Sequence, residues 1–287
     1  MSKEEESLIK LILSLTKSEK RYFSIYAARH TIGIENNSLR LFKKLEVLKQ
    51  YDEKKFLKRN KNEGFAKHYR FNKHFLYSLI LDSLRAFHAG KTPEAEIRDL
   101  VHAAEILTEK GLFNEALAMI KRAKTKATKY EFHELQLQLL RKELNLYREQ
   151  SLTEISEEAI GDLMKSFGET IRDMEIVLEY EAVNMRIGQR ISKAGFARSK
   201  ESLDELARMN VHREQKKAPI QFAAAWSFYN SKVAITFIRQ DFENALREID
   251  SLINLIETQP HMSAAIPRGY ISVLHNKIVL LNNLQRY

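Results

Sequence analysis

Apolar and small residues recur three and four positions apart along most of the chain, the period of one face of an α-helix. The clearest instance surrounds Gly111. Ahead of it, Ile97, Leu100, Ala103, Ala104 and Leu107 share one helical face; beyond it, Ala116, Leu117, Ile120, Ala123 and Ala127 share another. A glycine between two such faces suits a helix C′ position, where φ turns positive at little cost. Ala104, Ala116 and Ala123 would let two antiparallel backbones approach closely, with Phe113 and Ile120 filling the gaps beside them. The pattern therefore predicts a helix pair with its waist at Lys110 to Ala123.

The same reading extends in both directions. A first helix is predicted over 4–15, and a capping box from Thr16 to Glu19 opens a second, with Tyr22, Phe23, Tyr26 and Ala27 on its apolar face. His30 to Asn37 reads as a loop around Gly33. Ser38 is expected to cap a third helix with Leu41, Phe42, Leu45 and Leu48 inward, and Asp52 a short fourth carrying Phe56 and Leu57. After a polar loop from Lys58 to Gly64, a long helix to Phe87 is expected to pack Phe71, Phe75, Leu76, Leu79, Ile80, Leu84 and Phe87 inward. Gly90, Thr92 and Pro93 then suit a helix end, an N-cap and a first helical position. A boundary is placed there, between a small helical N-terminal domain, 1–91, and a helix-pair domain, 92–287.

Within the second domain, 93–110 is paired with 114–131, and 133–149 with 157–167, where Ser156 can cap. Next, 169–192 is paired with 200–210 across Gly195, and 219–239 with 242–257, Pro219 marking a helix start. Leu135, Leu137, Leu139, Leu140, Leu144 and Tyr147 cover more than one side of their helix, as a helix between two neighbours requires. The last helix, 268–286, carries an apolar stripe of Ile271, Leu274, Ile278 and Leu281 and has no visible partner. It either caps the stack or marks the front part of a longer protein. The abrupt end at Leu284 to Tyr287 favours the second.

Arg239 to Asp250 aligns without gaps on Lys110 to Lys121: Phe242, Ala245, Leu246 and Ile249 match Phe113, Ala116, Leu117 and Ile120. Gln240 replaces the glycine, so that turn is expected to be made differently. Both segments resemble the tetratricopeptide repeat, a helix pair of about 34 residues. Gly111, Phe113, Ala116, Ile120 and Ala123 fall where that repeat's glycine, aromatic, two alanines and bulky residue belong; Leu100 replaces its early Trp and Thr128 its closing Pro. The resemblance implies an all-α fold, an α–α superhelix of right-handed, tetratricopeptide-like helix pairs. The layout is also similar to a group of uncharacterised bacterial proteins in which a helical leader precedes such repeats. Leu15 to Phe23, Tyr51 to Phe56, Phe75 to His88 and Glu105 to Leu117 carry that likeness, which covers roughly the first half and implies no activity.

Composition narrows the chemistry. Nine glycines and four prolines among 287 residues fit a helical chain, and 44% hydrophobic residues fit a folded one. There is no cysteine, so disulfides, thiol catalysis and cysteine zinc sites are excluded, and a reducing cytoplasmic setting is expected. No apolar run approaches the ~18–20 residues of a membrane span, so no transmembrane segment is read. His133-Glu134 begins like a zinc-protease helix but lacks its second histidine, and His68 and His74 fall on different helical faces. Ser166 to Thr170 lacks the spacing and the Lys of a phosphate loop. Glu157-Glu158 suits a helix start. No catalytic, cofactor or metal site is read.

Charge is the remaining signal. The formal net charge is +9, and Arg40 to Lys73 carries twelve basic residues against four acids. Lys54, Lys55, Lys58, Arg59, Lys61, Lys67, Arg70 and Lys73 are the candidate anion or nucleic-acid contacts, interleaved with Tyr51, Phe56, Phe65, Tyr69 and Phe71. A second basic run, Lys121, Arg122, Lys124, Lys126 and Lys129, contains no acid. Two readings stand: a phosphate-contacting surface, or a solvated surface over an aromatic core. Packing alone accounts for Phe56, Phe71 and Phe75, which favours the second. The leading expectation is a non-catalytic interaction scaffold that holds a protein or peptide partner. The alternative is a nucleic-acid-binding regulator using the basic leader.

Overall fold

The computed structural model describes residues 3–29, 36–48, 51–149, 155–194 and 218–285. Among the described residues the fold is all-α: thirteen helices and no strand. The chain divides into two compact units, Met1–Lys91 and Thr92–Tyr287.

The first unit holds α1 (Lys3–Ser14), α2 (Lys17–Arg29), α3 (Asn37–Glu46), α4 (Glu53–Arg59) and α5 (Tyr69–His88). Local chemistry sets their ends. Glu19 N–H donates to Thr16 Oγ1 at 3.3 Å while Thr16 N–H donates to Glu19 Oε2 at 2.7 Å, the reciprocal bonds of a capping box. Asp52 accepts from Lys55 N–H at 3.1 Å and starts α4. Asn36, not Ser38, caps α3: its Oδ1 accepts from Leu39 N–H at 2.8 Å, and its Nδ2 donates to Ala27 O at 2.8 Å. One carboxamide thus closes α2 and opens α3, which the Ser38 hydroxyl, buried two residues on, does not do. Helix α5 packs against α1, α2 and α3, around a core that includes Ile12, Phe23, Phe42, Phe65, Leu76 and Ile80.

Two expected core residues of α5 lie outside it. Phe71 is 68% exposed and Phe75 45%. Leu76, Leu79, Ile80 and Ser83 take the inner face, and at about 100° per residue Phe71 falls roughly 140° from Leu76. Phe65 and Tyr69 already fill the space at that end of the helix.

The second unit holds α6 (Pro93–Glu109), α7 (Phe113–Lys129), α8 (His133–Glu149), α9 (Glu157–Ala194), α10 (Phe222–Ile238), α11 (Phe242–Glu257), the short α12 (Pro260–Ala265) and α13 (Pro267–Asn283). Thr92 caps α6, accepting from Ala95 N–H at 3.1 Å, with Pro93 in the first turn. Packing runs from neighbour to neighbour: α6 on α7, α7 on α8, α8 on α9, α9 on α10, α10 on α11 and α11 on α13. This is a helical repeat, stabilised by each interface in turn rather than by one central core. The aligned segments of α7 and α11 take matching environments. Ala116 and Ala245 are buried, as are Ile120 and Ile249; Phe113, Phe242, Leu117 and Leu246 are half-buried.

The turn at Gln240 is made as at Gly111, against expectation. Gln240 has φ 59° and Gly111 φ 73°, and a third residue, Glu131, has φ 51°. All three turns carry the same bond, Leu112 N–H to Leu107 O, Phe132 N–H to Ala127 O and Asp241 N–H to Thr236 O, at 2.9, 2.9 and 3.0 Å. The paired helices hold two side chains in a backbone that glycine adopts more freely.

Residues 157–167 and 169–192 are not separate helices. They form one 38-residue helix, α9, running through Gly161, Gly168 and Gly188. An isolated glycine costs a helix only about 1 kcal/mol. The buried stripe of Leu163, Thr170, Val177, Tyr180, Val183 and Ile187 continues past Gly168 without a phase shift. The first part of α9 lies against α8, where Thr170 reaches Gln136, and the rest packs against α10. It is thus the second helix of one pair and the first of the next. Helix 200–210, Gly195 and the loop around Gly33 lie outside the described residues. Pro219 precedes α10 by three residues instead of starting it. Helix α13 does have a partner, α11, through Val273 and Leu280, while Ile271, Leu274 and Ile278 face outward.

Candidate functional site

Two concavities stand out among the described residues, one within each unit. In the second unit, a groove of about 470 Å³ lies between α9, α10 and α13. Its floor is α10: Trp226, Asn230, Val233 and Phe237 sit at i, i+4, i+7 and i+11 and form one stripe. Asn184 and Ile191 of α9 form one wall, and Asn276, Val279 and Leu280 of α13 the other. The opposite face of α10, with Ala224, Phe228 and Ile235, is buried. Such a helix must be apolar all round, and Phe222 to Ile238 contains one charged residue, Lys232. Gly269 keeps the floor and wall close: a Cβ there would sit 3.1 Å from the Trp226 ring.

Three asparagines, Asn184, Asn230 and Asn276, give this apolar groove its polarity, one from each helix and each 46 residues from the next. Asn230 Nδ2 donates to Trp226 O at 2.9 Å. A carbonyl only accepts, so this bond fixes the amide and leaves Asn230 Oδ1 as an acceptor. Asn184 Oδ1 accepts from Ser231 Oγ at 3.4 Å, which leaves its NH2 as a donor. Fixed donors and acceptors among aliphatic and aromatic walls suit a neutral amide-bearing ligand. The regular asparagine spacing was present in the chain, but it acquires meaning only once three helices bring the residues to one groove.

The concavity in the first unit, about 1200 Å³, is lined by Ser7 and Leu8 of α1, Glu53 of α4, Lys67 and His68 just before α5, and Tyr69, Arg70, Phe71, Lys73, His74 and Tyr77 of α5. This divides the eight sequence-predicted contacts. Lys67 and Arg70 line the concavity and are exposed. Lys73 lines it but is committed: its Nζ donates to Glu53 Oε2 at 2.6 Å, it lies over the Tyr69 ring at 4.9 Å, and its side chain is only 12% exposed. Glu53 also accepts from Tyr51 OH at 3.2 Å, and Tyr51 shares a 2.8 Å hydrogen bond with Tyr69. Burial, then the Tyr69 bond, push the Tyr51 phenol far above its usual range. Lys54, Lys55, Lys58, Arg59 and Lys61 are exposed on α4 and the turn after it, and do not line the concavity. Lys55 pairs with Asp52 at 3.6 Å. The basic residues therefore do not form one cluster.

The second basic run is partly neutralised. Lys126 pairs with Glu96, and Lys124 with the buried Glu143, which also accepts from Tyr147 OH at 3.2 Å. His133, which opens α8, adjoins Glu131. Burial raises the Glu131 pKa despite the bond it accepts from Phe222 N–H at 2.6 Å. Among the described residues no three His, Asp or Glu side chains converge as a metal site, and no described helix is long and apolar enough to cross a membrane.

No protein-family model matches this chain, and comparison with curated proteins and with solved structures likewise finds no match.

Proposed function

We propose that this protein is a non-catalytic, cytoplasmic interaction scaffold built on tetratricopeptide-like helix pairs, and that it holds an extended peptide segment of a partner protein in the groove of α9, α10 and α13. The observation that carries this reading is the groove's composition. An extended peptide presents backbone N–H and C=O groups at regular intervals, and Asn230 Oδ1 and the Asn184 NH2 match that alternation. Trp226, Val233 and Phe237 offer apolar area between them, which would supply affinity by burial. Ile191 and Val279 continue that area onto the walls. Among the described residues no charged side chain lines the groove, so the reading favours neutral, apolar sequences over acidic or basic ones.

The test uses the full chain. Trp226 is its only tryptophan, so intrinsic fluorescence reports on the groove directly. Peptides selected from a random displayed library are titrated against wild type, Asn230→Ala and Val233→Glu. The expected result is a saturable change in Trp226 emission that Val233→Glu abolishes. Asn230→Ala should weaken binding by about tenfold, the loss of one to two net hydrogen bonds. Selected peptides that bind both variants as well as wild type, with Trp226 emission unchanged, would refute the groove as the site.

A further inference from the structure

The first unit carries a different feature. Phe71 and Phe75, one turn apart on α5, hold their rings nearly parallel, with centroids 6.2 Å apart and an interplanar angle of 11°. Both are exposed, so this pair is an aromatic surface rather than part of the core. Arg70 and His74 share that outward face at i and i+4, and Lys67, in the turn just before α5, lines the adjoining concavity with Arg70 and Phe71. The carboxylate in the adjoining concavity, Glu53, is held by Lys73 and Tyr51. The face thus combines planar apolar rings with exposed cationic groups, Lys67 and Arg70, that form no ion pair among the described residues.

We propose that this face of α5 binds single-stranded nucleic acid, its bases stacking on Phe71 and Phe75 and its phosphates meeting Lys67 and Arg70. Three physical points select this occupant. The positive charge selects a polyanion. Exposed flat rings beside that charge select an anion with flat apolar groups, as in single-strand binding surfaces. A duplex keeps its bases stacked inside, so Phe71 and Phe75 would remain in water against it, whereas unpaired bases cover them. His68 and His74 line the same concavity and add ring surface beside the phosphate path. The proposal is independent of the groove in the second unit.

The experiment follows the anisotropy of labelled oligothymidylate and oligouridylate, about 12 nucleotides long, a length typical of one single-strand site. It is run on the full chain across a salt series. Wild type should bind at low salt and weaken as salt rises, log K falling by about 0.7 per phosphate contact. Phe71→Ala with Phe75→Ala should weaken binding by at least about tenfold, since stacking contributes about 1–3 kcal/mol per base. The thermal melt should stay as in wild type, because both rings are exposed. Lys67→Glu with Arg70→Glu should flatten the salt slope. Lys121→Glu with Arg122→Glu, the same charge change in the second unit, should leave binding intact. The proposal is overturned by any of four results: no binding at low salt, equal loss in the Lys121/Arg122 variant, indifference to the two phenylalanine substitutions, or duplex of the same length binding equally well. Competition by an acidic peptide that survives loss of both phenylalanines would assign the charge to a protein partner instead, and also overturns it.

Discussion

Ile120 and Ile249 occupy aligned positions in α7 and α11, and the repeat reading predicts that truncating either has the same consequence. Each is buried, in separate clusters: Ile120 with Ile97, Ala104 and Leu139, and Ile249 with Phe222, Leu252 and Val273. Isoleucine to alanine removes three carbons. At about 0.8 kcal/mol per buried carbon the transfer loss is ~2.4 kcal/mol. The cavity adds to this, because Ala116 and Ala123 flank Ile120 one turn away on either side and have no side chain long enough to fill the space; the total should lie at about 3–4 kcal/mol. Ile249→Ala should cost the same. The two clusters share no residue, so the double variant should lose the sum, within about 0.5 kcal/mol. Urea unfolding followed by circular dichroism at the helix band measures all three, with Met185→Ala, a 73% exposed site on α9, as a control expected within about 0.5 kcal/mol of wild type. A loss below about 1 kcal/mol at either isoleucine, or costs that differ from each other by more than their cavities allow, would refute the equivalence of the two segments.

Three further outcomes are expected. Gln240→Gly should stabilise the chain by about 1 kcal/mol, because glycine holds the positive φ of that turn without Cβ strain, and Gly111→Ala should destabilise it by a similar amount; paired denaturation curves decide both. Burial raises the Glu131 pKa, so the folded state resists its ionisation: wild type and Glu131→Gln should be matched in acid, where both side chains are neutral, and the Gln variant should become the more stable as pH rises through the raised pKa, its amide oxygen still accepting from Phe222 N–H. A stability gap that is flat with pH, or reversed, would count against this. Lys124→Met leaves Glu143 buried and without its cation, and should cost about 3 kcal/mol, while adding Glu143→Leu should return much of that loss; a double-mutant cycle by thermal melting reads the coupling.

Much of the fold was legible from spacing. Helix existence follows from apolar residues three and four apart, which a chain must bury on one side whatever lies beside it. The junction residues Gly90, Thr92 and Pro93 act within one turn of backbone, so their roles as helix end, cap and first helical residue needed no tertiary information. The gap-free match of Arg239 to Asp250 with Lys110 to Lys121 likewise carried over into matching burial, since the period-3.6 pattern defines the inner face of each helix by itself.

What spacing could not decide was competition among candidates of similar local merit. Asn36 and Ser38 are both good caps; only the carbonyl of Ala27, brought close by the packing of α2 on α3, favours Asn36. Gly168 is a weak helix former by itself, and burial on both flanks carries α9 straight through it. Gln240 adopts a left-handed turn because the two helices it joins pack together and hold it there. Phe71 and Phe75 fit an apolar stripe on paper, but the interior at that end of α5 was already filled by Phe65 and Tyr69, so the rings stand in solvent beside Lys67 and Arg70. The groove of Trp226, with an asparagine from each of three helices, is the extreme case. Local sequence determines which way each side chain leaves its own helix, and only the stacking of α9, α10 and α13 determines that the three meet.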